Sequence, residues 1–193
     1  MKKISLLAFT CLVLLCSFNP SPSITWKLDP VHSNLGFSVV HLGVSEITGT
    51  VQLSKANIIL PDSTTFAGGT VTLEADMNTI DTDNDARDKH LKTADFFDTP
   101  KFPALTFQST SFTKVSGETY QLDGNLTLHG ITKPVTLTAV VKSVVNPTNN
   151  KPLTGCRVSG KIKRSDFNIS QAVPEAILDN VVSITANLEF GRE

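Results

Sequence analysis

Apolar and polar residues alternate along most of this chain, in blocks separated by turn formers. In the first block Leu35, Phe37, Val39 and His41 share one face, with Gly36, Ser38 and Val40 opposite. The same two-residue period runs through 46–53, 70–76, 105–110, 120–128, 135–141, 156–163 and 182–190. A period of two marks a strand with one buried and one wet face, so these blocks predict eight strands. Short connections at Ser116-Gly117-Glu118 and His129-Gly130 join them as antiparallel neighbours. Their apolar faces need one common interior, which a sheet of this size supplies by closing into a barrel or splitting into a sandwich. The opposite faces carry Glu, Lys, Gln and Thr and meet water, the reverse of an outer-membrane barrel.

One segment leaves the period. Asp83-Asn84-Asp85 offers capping side chains, and Ala86, His90, Ala94 and Phe97 recur at helical spacing. A helix from Ala86 to Phe97 is predicted, inside an excursion from Met77 to Phe102 long enough to be a lid or binding element. A second short turn is predicted at Pro174 to Leu178.

Composition supports sheet: 51 of the 193 residues are Thr, Val or Ile. Eleven Phe against one Trp and one Tyr favour a dry interior. The formal charge of −1 leaves no basic excess for phosphates, which argues against a nucleic-acid partner. At the start, Lys2 and Lys3 precede an apolar run from Ile4 to Leu15, then Ser17, Pro20 and Pro22. That pattern predicts a signal peptide over 1–22, an exported domain over 23–193 and no membrane-spanning helix. Cys16 stands where a lipoprotein cysteine would, but after Leu15 rather than a small residue, so lipidation and ordinary cleavage both stay open. Beyond the leader Cys156 is alone, and no internal disulfide is expected.

The usual catalytic signatures are missing. There is no nucleophile elbow and no phosphate-cradling loop with a Lys. His32, His41, His90 and His129 lack metal-ligand spacing. No enzyme activity, metal or cofactor is therefore expected. The informative residues are polar ones placed inward. His41 shares its face with Phe37 and Val39, Arg164 has the parity of Ile162, and Arg87 sits on the predicted helix. Together they fit a polar or anionic head group. Each alone also fits a structural role: His41 hydrogen-bonded at a strand end, Arg164 at the barrel rim, Arg87 paired with Asp83 or Asp85. Gly49, Gly124, Gly160, Ala75, Ala139 and Ala186 also face inward, which favours a hollow interior over a filled one. Strands of this length give a lumen about 25 Å tall, suited to a long apolar molecule. A large residue at Gly124 or Ala139 is expected to occlude it.

Several blocks, in order, resemble the YceI-like family of secreted bacterial proteins. They are Trp26-Lys27-Leu28-Asp29-Pro30-Val31-His32-Ser33, Gly36-Phe37-Ser38-Val39-Val40-His41-Leu42-Gly43 and Ala86-Arg87-Asp88-Lys89-His90-Leu91 with Asp95-Phe96-Phe97-Asp98. Then follow Lys101-Phe102-Pro103, Phe107-Gln108-Ser109, the run from Gly124 through His129-Gly130 to Val135, and Arg164-Ser165-Asp166-Phe167. The resemblance covers about residues 25–190. It implies an all-β, extended lipocalin-like antiparallel eight-stranded β-barrel in the periplasm. The implied ligand is an isoprenoid or similar long-chain lipid, of polyprenyl phosphate or isoprenoid quinone type. By that analogy His32, His41, Arg87 and His90, with the inward Arg164, become head-group residues. Phe37, Val39, Phe96, Phe97, Phe107, Leu126, Leu128 and Phe167 become tail contacts. The same motifs also admit structural roles, with Asp88 paired to Arg164 and the Asp-Phe-Phe-Asp block plugging one end. Relatives often carry Gly at the position of Asn168, and Asn tolerates the same positive φ. The alternatives to a carrier are a filled barrel acting through its surface, or an accessory enzyme on the bound molecule. Outward Val140, Val144 and Val181 hint at a homodimer.

Overall fold

The computed structural model describes residues 23–61 and 65–192; the predicted signal peptide over 1–22, Cys16 included, lies outside them. The strands are β1 (Ile24–Leu28), β2 (Asn34–His41), β3 (Ser45–Leu60), β4 (Thr70–Asp81), β5 (Ala104–Ser116), β6 (Thr119–Leu128), β7 (Ile131–Val145), β8 (Pro152–Lys163) and β9 (Leu178–Arg192). One helix, α1 (Asp85–Leu91), lies between β4 and β5. All neighbours are antiparallel, in the order β3-β2-β9-β8-β7-β6-β5-β4, and β4 returns to β3. The sheet is therefore a closed eight-stranded barrel, which leaves no free edge.

Strand β1 was not legible from the period. It is short, and Asp29-Pro30 interrupts the alternation after it. It pairs with β3 at Lys27↔Asn57 and with β9 at Leu28↔Phe190. Strand β2 pairs with the same two neighbours, at Leu35↔Val51 and Leu35↔Ala186. The two pieces thus lie end to end in one position of the barrel.

Strand β4 runs on to Asp81, into the segment expected to be an excursion. Its register to β3 jumps from Gln52↔Asp76 to Thr50↔Asp81. This bulge turns both Met77 and Ile80, three residues apart, into the interior, which is why the two-residue period is lost there. The Gln52 N–H freed by the bulge donates to Thr79 Oγ1 at 2.8 Å. Helix α1 starts as expected, with the Asn84 side chain accepting from Arg87 N at 3.0 Å. It ends at Leu91, well before Phe97. Thr93 stops it, with its N–H and its hydroxyl both donating to the His90 carbonyl. The segment then winds through turns, with Asp98 at φ 45°, back to β5.

The hairpins at Gly117 and His129-Gly130 take the positive φ values that such tight turns need. Asn168 follows a 3-10 turn, Arg164–Phe167, and adopts φ 54°. Among the described residues no helix is long and apolar enough to cross a membrane. Val140, Val144 and Val181 face outward, as the alternation predicts.

The interior has two halves. All strand connections at one end carry the motif residues: the β2–β3 turn, the α1 segment, the β6–β7 turn and the β8–β9 connection. Further from this end the middle of the barrel is packed. Leu53, Ala75, Phe107, Leu126, Val158 and Ala186 form a buried layer across it. Phe112, Tyr120, Leu122, Val141, Cys156 and Leu188 continue the fill. Gly124 belongs here. A Cβ on it would lie 2.3 Å from the Phe107 ring and 2.6 Å from the Gln108 carbonyl oxygen. Its missing side chain therefore makes room for Phe107 and leaves no lumen. Ala139 is likewise fully buried in packed surroundings. The expectation that a large residue at either position would occlude a through-lumen is corrected: neither residue lines the cavity.

Candidate functional site

The other half is hollow. A cavity of about 390 Å³ sits beneath the motif-bearing connections. Its walls follow the inward parity of the strands: Val39, Phe37 and Leu35 on β2, Ile47 and Val51 on β3, Ile162 on β8, Val182 and Ile184 on β9. Leu105 and Leu128, partners of the paired strands β5 and β6, close the floor. The bulge on β4 adds Met77 and Ile80. Phe37 packs across β3 onto Gly49, where a Cβ would lie 2.5 Å from its ring. The missing side chain of that glycine leaves room for the ring.

The roof comes from two connections. Leu91 of α1, with Phe96 and Phe97 after it, covers one side. The 169–178 segment, with Ile169, Val173, Ile177 and Leu178, covers the other. The second is tied to the end of β2, beside His41, by Leu42 N donating to Ile177 O at 2.9 Å.

Three of the expected head-group residues gather at this rim. His41 is half-buried and lines the cavity. Arg87 lines it as well, held by Nε donating to Thr82 Oγ1 at 2.7 Å and Nη2 donating to Thr82 O at 2.6 Å. Neither Asp83 nor Asp85 is its hydrogen-bond partner. Thr82 in turn donates to buried Asp88 through its N–H and its hydroxyl, so a carboxylate fixes the threonine that fixes the arginine. His90 lines the rim with its Nε2 3.5 Å from Asp95 Oδ2 and its ring edge-on to Phe96 at 4.9 Å.

Arg164 reaches the cavity wall but is engaged behind it. Its guanidinium donates to the carbonyls of Ile169, Ser170, Val173, Leu178 and Asp179. It therefore holds the second roof in place, and it does not pair with Asp88 as one structural reading had it. His32 lies elsewhere, in the break between β1 and β2. Its Nδ1 is 2.9 Å from Asp29 Oδ2 and 3.6 Å from Glu189 Oε1, and its side chain is 63% exposed. The hydrogen bond to Asp29 raises its pKa above the ordinary value of 6.5 and lowers that of Asp29 below 3.8. These three groups bring ligand-type atoms within 4.8 Å of one another, on the open wall and away from the cavity.

Of the expected tail contacts, Phe37, Val39, Phe96, Phe97 and Leu128 line the cavity. Phe107 and Leu126 lie one layer below its floor, and Phe167 is 1% exposed in the packing under the 3-10 turn. His129, between β6 and β7, stands edge-on to Phe102 at 4.8 Å, with its Nδ1 2.9 Å from Phe167 O. The residues that sequence reasoning passed over as site residues include Leu35, Ile47, Val51, Leu105, Ile162, Val182 and Ile184. All have inward parity and lie toward the motif-bearing end, so their position relative to the connections was the available signal. Met77, Ile80 and Ile177 carried no such signal, since the bulge and the turn place them. A second hollow of about 470 Å³ lies at the opposite end, by Trp26, Phe66 and Val144. It is more open and less apolar, and lacks the converging basic groups of the first.

The YceI-like domain matches this chain over residues 26–190. The YceI proteins of Salmonella arizonae and Salmonella paratyphi B are each 37% identical over 172 residues, covering 88% of either chain. A mutant of the Campylobacter jejuni YceI protein superimposes with a TM-score of 0.71 at 26% identity, covering 80% of this chain and 90% of that one. BcnA of Burkholderia cenocepacia gives 0.68 at 21% identity, over 84% and 98% of the two chains. A polyisoprenoid binding domain from Saccharophagus degradans gives 0.65 at 15% identity, over 87% and 98%. The chain belongs to the YceI-like family.

Proposed function

We propose that this protein is an exported, periplasmic binding protein that holds an isoprenoid-like amphiphilic lipid in its barrel. The observation that carries the reading is the 390 Å³ apolar hollow in one half of the barrel, with His41, Arg87 and His90 at its rim. Such a site removes a hydrocarbon tail from water and leaves the head at the mouth. Each methylene buried contributes about 0.8 kcal/mol, against the cost of ordering the chain. Tail burial supplies the affinity, and the rim sets orientation. The family membership and the polyisoprenoid-binding neighbour support the lipid class. The two fixed Arg87 bonds to Thr82 leave guanidinium donors free of that side chain, which suits a phosphate or a quinone carbonyl.

Titration of the purified protein with a prenyl phosphate and with the corresponding prenyl quinone tests this. Saturable binding is expected, weakened roughly tenfold for the phosphate in Arg87→Met, the loss of one charge-assisted contact. Failure of both ligands to bind would overturn the proposal.

A further inference from the structure

We infer that the hollow at the end of the barrel opposite the motif-bearing connections is a second binding site, which takes a small apolar carboxylate. It stands apart from the lipid-binding reading, because the packed middle of the barrel lies between the two hollows.

Strand register builds this site. Residues opposite each other on antiparallel strands put their side chains on one face, and Trp26 on β1 stands opposite Ile58 on β3 and Arg192 on β9. Trp26 is buried, so the shared face is the inward one. Ile24, two residues earlier on β1, is opposite Leu60. Both line the hollow, with Phe66 ahead of β4 and Val144, Val145 and Pro152 where β7 gives way to β8. The result is a largely apolar wall around about 470 Å³.

The polar groups in that wall decide the ligand. Its two hydroxyls are engaged: Thr65 Oγ1 accepts from Ala67 N at 3.0 Å, and Ser143 Oγ is 2.7 Å from Thr154 Oγ1. The other two groups are unmatched donors. The Arg192 guanidinium has no hydrogen bond or ion pair among the described residues. Trp26 Nε1 is buried and has no partner either. A buried N–H without an acceptor is costly and rare, and an indole can only donate. A carboxylate answers both, with a charge and a fork of oxygens for Arg192 and an acceptor for Trp26. Nε1 is sealed from solvent, so the ligand's oxygen reaches it as the wall shifts. Partly buried Phe66, its ring centre 5.9 Å from that of Trp26, is the neighbour placed to give way.

Trp26 is the chain's single tryptophan, so its indole N–H gives one NMR signal of its own. The test titrates the isotope-labelled protein with cyclohexanecarboxylate and octanoate, and with the two corresponding neutral amides. The carboxylates are expected to move the indole signal downfield saturably, and the amides to bind about tenfold or more weakly. Arg192→Gln, at an exposed strand end, is expected to weaken carboxylate binding about tenfold, and Arg192→Lys by less. An indole signal that neither carboxylate moves would overturn the site, and this includes the case of carboxylates held only in the first hollow. Equal affinity for acid and amide, or unchanged carboxylate affinity in Arg192→Gln, would overturn it as well.

Discussion

Arg164 is 5% exposed and directs its N–H groups to five backbone carbonyls, four in the segment that roofs the cavity and one at Asp179 on β9. Its removal leaves buried acceptors without donors. Arg164→Met is expected to cost about 3 kcal/mol in urea unfolding. Arg164→Lys should recover little of this, because an ammonium cannot fork to so many acceptors. An unchanged midpoint in both variants would contradict the structural role. Cys156 shows burial acting on chemistry: desolvation pushes its thiol up to about 12. It is expected to resist alkylation at neutral pH in the folded protein and to react once the chain is unfolded. His32 follows the opposite logic, since its partner is an exposed carboxylate. Its raised pKa means that the pairing favours the folded state below about pH 6.5, and that the effect fades as pH rises through the raised value. An NMR titration should place the His32 midpoint above that of an ordinary histidine, and Asp29→Asn should bring it back.

At the level of elements, the pairing of Gly124 with Phe107 separates two ideas about the interior. A hollow through-lumen would make Gly124→Val a plug. The packed half makes it a clash with a ring and a carbonyl. The variant is expected to lose about 1–3 kcal/mol of stability while its folded fraction still takes up ligand normally. Loss of uptake in a folded Gly124→Val protein would place the lumen where the structure does not. The N-cap of α1 gives a second measurement. Asn84→Ala should destabilise the helix by about 1 kcal/mol and raise hydrogen exchange over 85–91 without affecting the barrel strands. Most of this framework was legible in the sequence, because a barrel strand has one wet and one dry face and its residues say which is which. Strand β1 escaped because five residues before Asp29-Pro30 hold too few alternations. The bulge on β4 escaped because it breaks the period that identifies strands. The floor of the cavity was beyond reach for a different reason. Phe37 and Phe107 share parity and residue type, and only the register with β3 and β6 shows that one lines the hollow and the other lies in the packed core.

The whole molecule combines the two uses of an eight-stranded barrel, a filled core and a ligand cavity, stacked along one axis. The packed part buries Phe107, Phe112, Leu122 and Phe190 with no ligand present. That frees the other half to stay hollow, with its roof made from connections that the barrel does not need for closure. The motif residues concentrate on this roof and rim: His41, Arg87, His90, Phe96, Phe97 and Arg164. The central claim is that the hollow half carries a lipid tail. The most direct measurement is native mass spectrometry of the protein purified from an exporting host, followed by solvent extraction and mass analysis of what is released. The account predicts a stoichiometric amphiphile with an isoprenoid-like tail, or uptake of an added one by the bare protein. Bare protein that takes up neither added prenyl phosphate nor quinone would contradict it.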